Sequence, residues 1–123
     1  MANPHRGEVK ITLAGQEYTL RPTFDALAQI ENDLGMGMAG VTARFFSRTH
    51  GFREIESIVR NGIIGAGGQP PKDLRDLLVK DGITKISSPV IVFVSNAILG
   101  DREVEPSGEA ETAGAVNTPS AGT

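Results

Sequence analysis

Residues 8–21 alternate with a period of two on either side of Ala14-Gly15, and no other stretch restricts the fold as strongly. Val9, Ile11 and Leu13 alternate with Glu8, Lys10 and Thr12. Tyr18 and Leu20 then alternate with Glu17, Thr19 and Arg21. Successive side chains on a strand point to opposite faces, so each half has one apolar and one polar face. With Ala14-Gly15 as a two-residue loop, Leu13 faces Gln16, Ile11 faces Tyr18 and Val9 faces Leu20, and the apolar side chains share one face. Alanine is a poor first residue for the mirror-image turns. A type I turn with Gly15 in a left-handed bulge is therefore an equal alternative. An isolated hairpin is marginal in water and needs a second layer to cover its apolar face.

Helices supply that layer. Pro22 closes the second strand, and Thr23 is a good N-cap with Asp25 in the first turn. Phe24, Leu27, Ile30 or Glu31, and Leu34 have helical spacing, and Gly35 is a stop. Gly37 and Gly40 bracket a break, after which Val41 to Arg48 reads as a second helix containing Phe45 and Phe46. A third helix is expected over Phe52 to Ile64, with Phe52, Ile55, Ile58, Val59 and Ile63 on one face. Gly65 to Pro70 reads as a loop. Pro71 suits the first turn of a fourth helix that runs to about Lys80 before Asp81-Gly82. In Val90-Ile91-Val92-Phe93-Val94 the β-branched residues favour a strand. The flanks favour a helix, with Ser87-Ser88-Pro89 as its N-cap and first position and Leu99-Gly100 as its end. A helix apolar nearly all round is expected at the buried centre of the domain.

Beyond Gly100 only Val104 and Val116 are larger apolar residues. Residues 101–123 are therefore expected to be an acidic disordered tail, and residues 1–100 a single domain. The formal charge of −3 divides accordingly. Residues 1–100 hold 11 Lys/Arg and 10 Asp/Glu, or +1, and residues 101–123 hold one Arg and five acids, or −4. A near-neutral domain without a basic stripe argues against nucleic-acid binding. Cysteine is absent from the 123 residues, which excludes thiol catalysis and thiolate metal sites. No apolar run follows His5 and Arg6, unlike a secretory leader, and the longest apolar stretch, from Pro89 to Leu99, is too short to span a bilayer. The expectation is a cytoplasmic protein with no membrane partner.

No constellation of residues promises chemistry. Gly62 to Gly68 follows a helix and leads into Gln69-Pro70-Pro71, so it reads as a helix end and connector, not a phosphate loop. His5 and His50 are far apart and lack a carboxylate at ligand spacing, so neither a metal nor a cofactor is expected. His50 is placed at a helix C-terminus as a cap. Asp25, Glu31 and Asp33 read as a solvated helix face. An enzyme is not expected. The candidate partner-binding residues are Met36, Met38, Phe45 and Phe46. Adjacent phenylalanines on a helix point about 100° apart, so both cannot face one core. Methionines beside an exposed aromatic would make an adaptable patch, although closing the core is the alternative role for all four. A second candidate is the unpaired edge of the hairpin, carried by Val9, Ile11, Tyr18 and Leu20, which could add a strand from another copy or from a client.

The pattern Asn3-Pro4, Arg6-Gly7-Glu8, a strand, a glycine turn, then Leu20-Arg21-Pro22-Thr23-Phe24 and a helix closing at Leu34-Gly35 resembles a known family. It is similar to the small proteins of the tail-gene cluster of gene transfer agents and related tailed phages, the gene transfer agent protein ten family. The resemblance is strong over residues 3–35, looser to about residue 100, and absent beyond. It implies a tail assembly chaperone that binds the tape measure protein and helps recruit tail tube protein. The family is also described as a tail tube protein, so a structural tube component is the alternative, and a small regulatory or nucleic-acid-binding module is a third. A tube wall needs more than two convincing strands, which favours the chaperone. The expected fold is α+β: an N-terminal hairpin packed on four or five helices.

Overall fold

The computed structural model describes residues 7–100, so the expected tail at 101–123 and the Asn3-Pro4 part of the motif lie outside the described residues. The architecture is α+β. Strands β1 (Val9–Leu13) and β2 (Gln16–Leu20) form a two-stranded antiparallel sheet, followed by α1 (Phe24–Leu34), α2 (Met38–Phe46), α3 (Phe52–Gly65), α4 (Leu74–Asp81) and α5 (Ile83–Leu99). The register pairs Val9 with Leu20, Ile11 with Tyr18 and Leu13 with Gln16, as the alternation requires. Of the two turns left open by the sequence, the two-residue one is present. Ala14 and Gly15 have φ of 50° and 85°, the mirror-image form that matches strand twist. Asp81 Oδ2 accepts a hydrogen bond from the Ala14 amide and ties this turn to the end of α4.

The apolar face of the hairpin rests on two helices, β2 on α3 and β1 on α5. Val9, Ile11, Leu13 and Leu20 join Ile55, Ile58, Val59, Ile63, Val90, Phe93 and Val94 in one buried cluster. Two glycines set how closely these layers approach. A Cβ at Gly62 would lie 2.9 Å from Leu20 Cβ. One at Gly65 would overlap the carbonyl oxygen of Arg21. The Arg21 amide donates to the Gly62 carbonyl at 2.9 Å, so the hairpin exit lies directly on the α3 backbone. Both glycines lie inside α3. The connector expected over Gly65 to Pro70 therefore starts after Gly65.

Thr23 caps α1 by accepting from the Ala26 amide, and Gly35 closes it in the left-handed conformation at φ 68°. Several boundaries and faces differ from expectation. Phe24 is 83% exposed, and the buried positions of α1 are Ala26 and Ile30. A residue at the very start of a helix that enters from a strand lies outside the layer contact. Helix α2 starts at Met38, not Val41, because Glu31 Oε2 accepts from the Met38 amide at 2.8 Å and supplies the cap that Gly37 lacks. Gly40 is thus inside α2. Helix α4 starts at Leu74 rather than Pro71.

Helix α5 starts at Ile83, so Ser87-Ser88-Pro89 is not its cap and Pro89 sits inside it. Gly82, at φ 86°, turns the chain by 111° between α4 and α5 and leaves no loop in which a later start could sit. Proline there sacrifices one helical hydrogen bond, but the extra turn carries Ile86 into the core. Nor is α5 buried all round. Ile86, Val90, Phe93 and Val94 face inward while Val92, Ile98 and Leu99 are exposed, because β1, α2, α3 and α4 cover only part of its surface.

Candidate functional site

An open cleft of about 740 Å³ lies between the end of α1, the outer side of α3 and α4. Leu34 and Leu78 give it an apolar floor, and Phe52 and Val79 stand at its rim, 42% and 68% exposed. Phe52 was expected on the buried stripe of α3. It lies at the first position of that helix, where the stripe runs out past the core.

Charged side chains line the rest of the cleft. Glu56 Oε2 accepts from Arg60 Nη2 and Arg75 Nε, each at 2.8 Å. Burial alone would push the Glu56 carboxyl up, but the bonds and charges of these two arginines outweigh it and hold it below its ordinary value. Arg75 is correspondingly pushed up. Asp33 is also in the cleft. Partial burial would raise it, but hydrogen bonds from Gln29, Asn61 and Ser57, with the Arg60 charge behind them, lower it. Asp33 Oδ2 takes both the Ser57 hydroxyl at 3.0 Å and the Asn61 amide at 3.1 Å, and Ser57 and Asn61 are buried. Asp33 is therefore a tie between α1 and α3. Glu31, as the cap of α2, is likewise a partnered residue, so of the three acids read as a solvated face only Asp25 has no such tie among the described residues.

Beside the cleft, Glu54 Oε1 accepts from the Gly51 amide at 2.7 Å and closes half of a capping box for α3. Its Oε2 is 2.9 Å from Arg44 Nε, near enough for an ion pair but too far off line for that nitrogen to donate a hydrogen bond.

The methionine and phenylalanine candidates divide. Met38 and Phe45 lie in the core, Met36 is half-buried against it, and Phe46 is 63% exposed. The four do not form one surface patch. Phe45, 1% exposed, stacks on the His50 ring with centroids 4.1 Å apart. Ser87 Oγ donates to the Ile83 carbonyl at 2.6 Å, which leaves it to accept from His50 Nε2–H at 3.0 Å. His50 is therefore a ring packed between α2 and α5, not a helix cap. In the hairpin, the side chains of Val9, Ile11 and Leu20 point into the core and Tyr18 packs partly against it, so only backbone groups are offered at the edges.

Among the described residues no group of three or more His, Asp or Glu could hold a metal ion. No single described helix is long and apolar enough to cross a membrane. The sequence pointed to neither the cleft nor its rim, since Phe52 reads as part of the buried stripe of its helix and Val79 has no assigned role. The one signal for the charged part was the spacing of Glu56 and Arg60 at i and i+4.

No curated protein and no solved structure matches this chain. A family model does, described as "Phage tail tube protein, GTA-gp10", and it covers residues 6–100, the hairpin and all five helices. With that extent of the chain matched, this protein belongs to the gene transfer agent and phage tail family of that description.

Proposed function

We propose that the chain acts as a non-enzymatic tail assembly chaperone, holding an apolar segment of the tape measure protein while tail tube protein is recruited around it, in the bacterial cytoplasm. The observation that carries this reading is the cleft between α1, α3 and α4. It presents Phe52 and Val79 as exposed apolar anchors next to the guanidinium groups of Arg53, Arg60 and Arg75. Apolar anchors beside charged groups suit an amphipathic helix, whose apolar side would dock while its polar side stays in water. Both carboxylates in the cleft are engaged by neighbouring side chains, which supports binding over proton transfer. The two strands among the described residues are also few for a wall that must line a lumen.

Co-expression with the tape measure protein tests the reading. The wild-type chain should co-purify with it, and Phe52→Ala with Val79→Ala should abolish capture while the circular dichroism spectrum stays native. Capture by neither form would overturn the proposal.

The structural tail tube component remains as a second reading, favoured by the description of the family itself. The two separate on composition of the purified particle. A tube component is present there in many copies, whereas a chaperone is absent.

A further inference from the structure

A hairpin closed by a two-residue turn has a hydrogen-bonded pair next to the turn, and bonded and non-bonded pairs then alternate along it. With Leu13 opposite Gln16, the bonded pairs are Leu13–Gln16, Ile11–Tyr18 and Val9–Leu20. The N–H and C=O groups of Lys10 and Thr12 on β1, and of Glu17 and Thr19 on β2, therefore point away from the partner strand. The two edges are not equivalent. On the β2 side, the next outward amide, that of Arg21, is taken by the Gly62 carbonyl, and Thr19 is half-buried. On the β1 side Lys10 and Thr12 are exposed, and the two-stranded sheet supplies no acceptor or donor for their outward groups. A lysine often guards an edge. Here, however, the Lys10 ammonium leans back over the sheet to Glu17 Oε1 at 3.4 Å, away from the edge.

The free edge overhangs α5, because β1 rests on that helix and Asn96 Nδ2 donates to the Gly7 carbonyl just before the strand. The outer stripe of α5 runs through Ser88, Val92 and Leu99, opposite the buried Val90 and Phe93. Val92 and Leu99 are half or more open to solvent or close to it, at 49% and 56%. From Ile86 to Leu99 the helix has no charged residue. Asn96 sits between Val92 and Leu99 on that helix, so its bond to Gly7 sets this uncharged, partly apolar stripe on the side where β1 starts.

We propose that this side is the contact with a second copy of the chain. Strand β1 pairs antiparallel with its equivalent about a two-fold axis through Ile11. The two hairpins become one four-stranded sheet, and the outer stripes of the two α5 helices come together beneath it. The edge is self-complementary in this register. Lys10 faces the partner's Thr12 on both sides of the axis, both outward groups of each residue are paired, and no two like charges are opposed. A symmetric contact of this kind closes on itself as a dimer. Head-to-tail addition of β1 to β2 of another copy meets the α3 contact at Arg21 instead. An uncharged stripe is covered without stranding a charge by another uncharged stripe, which a second copy provides by symmetry. None of the residues of this contact lines the cleft, and the contact does not depend on the client reading.

Sedimentation or light scattering of the full chain over a concentration series, with hydrogen exchange of its amides, tests the proposal. The expected mass doubles as concentration rises, and the Lys10 and Thr12 amides, which have no acceptor among the described residues, become protected in step. Val92→Glu puts like charges into the α5 contact without touching the core and should return the chain to a monomer with both amides unprotected. Thr12→Pro removes an outward amide but no rung of the hairpin, and should act likewise. A chain that stays monomeric throughout overturns the proposal. So does a dimer that survives Val92→Glu with the Lys10 amide exchanging freely.

Discussion

Toward the hairpin and the start of α1, helix α3 carries Gly62 and Gly65. On its outer side it carries Arg53, Glu56 and Arg60. On the first side, close approach is the requirement, and it is met by having no side chain between the helix and Leu20 or Arg21. On the second, charged side chains line an open cleft between α3 and its neighbours and bridge it at Glu56 and Arg75. One helix thus fixes the fold by what it omits and offers a surface by what it projects. The first side should tolerate almost no change, and the second should tolerate change in stability but not in binding.

The largest effect is expected inside. Ile58→Ala, at a fully buried position, should cost about 2–5 kcal/mol in chemical denaturation. A loss below the error of the measurement would mean that α3 is not the centre of the core. Gly65→Ala comes next, at about 1–3 kcal/mol, because the added methyl meets a backbone oxygen that cannot swing aside. Full stability in that variant would show that the α1 entry can retreat from α3, and the contrast between the two sides would weaken.

On the outer side the expected signal is in pH. The Asp33 carboxyl is held below its ordinary value in the folded protein, so it contributes stability that is complete above the ordinary aspartate range and lost as pH falls through the lower, folded value. The gap in denaturation midpoint between wild type and Asp33→Asn should be open at neutral pH and should narrow on acidification. A gap that stays constant into acid would show that Asp33 does not act as an ionised tie. Glu56 shifts the same way and for a similar reason, and solvent damps both effects, more so at the exposed Asp33.

The smallest effect has the opposite sign. Gly40 is exposed inside α2, and a Cβ there would meet Met36 Sδ at an ordinary 3.7 Å. Gly40→Ala should therefore stabilise by about 0.5–1 kcal/mol. Destabilisation would mean that the free space beside Gly40 is not what the geometry indicates. Gly65 and Gly40 together make the comparison sharp, since the same substitution reverses sign with what lies beyond the α-carbon.

Much of the fold was legible because local rules agree with it. Alternation about Ala14-Gly15 specifies the hairpin and its register, and Thr23 and Gly35 bound α1. The starts of α2 and α5 were not legible. The cap of α2 comes from Glu31 across the intervening turn, and Pro89 is carried inside α5 by the core contact of Ile86 one turn earlier. The candidate cleft was hidden for a related reason. Phe52 has the spacing of a core residue, Val79 lies off the apolar spacing of α4, and only the packing of α4 against α3 brings the two to one rim.

The chain by itself therefore determined the element order, the apolar face of the hairpin and the family motif, all of which rest on near neighbours in sequence and on backbone preferences that act within a few residues. Which of Phe45 and Phe46 is buried, what Gly62 and Gly65 are for, and which edge of the hairpin stays open were decided only in three dimensions. Each of those depends on an element brought alongside from far away in the chain: α5 beside Phe45, the hairpin exit on the two glycines, and α3 against the far end of β2.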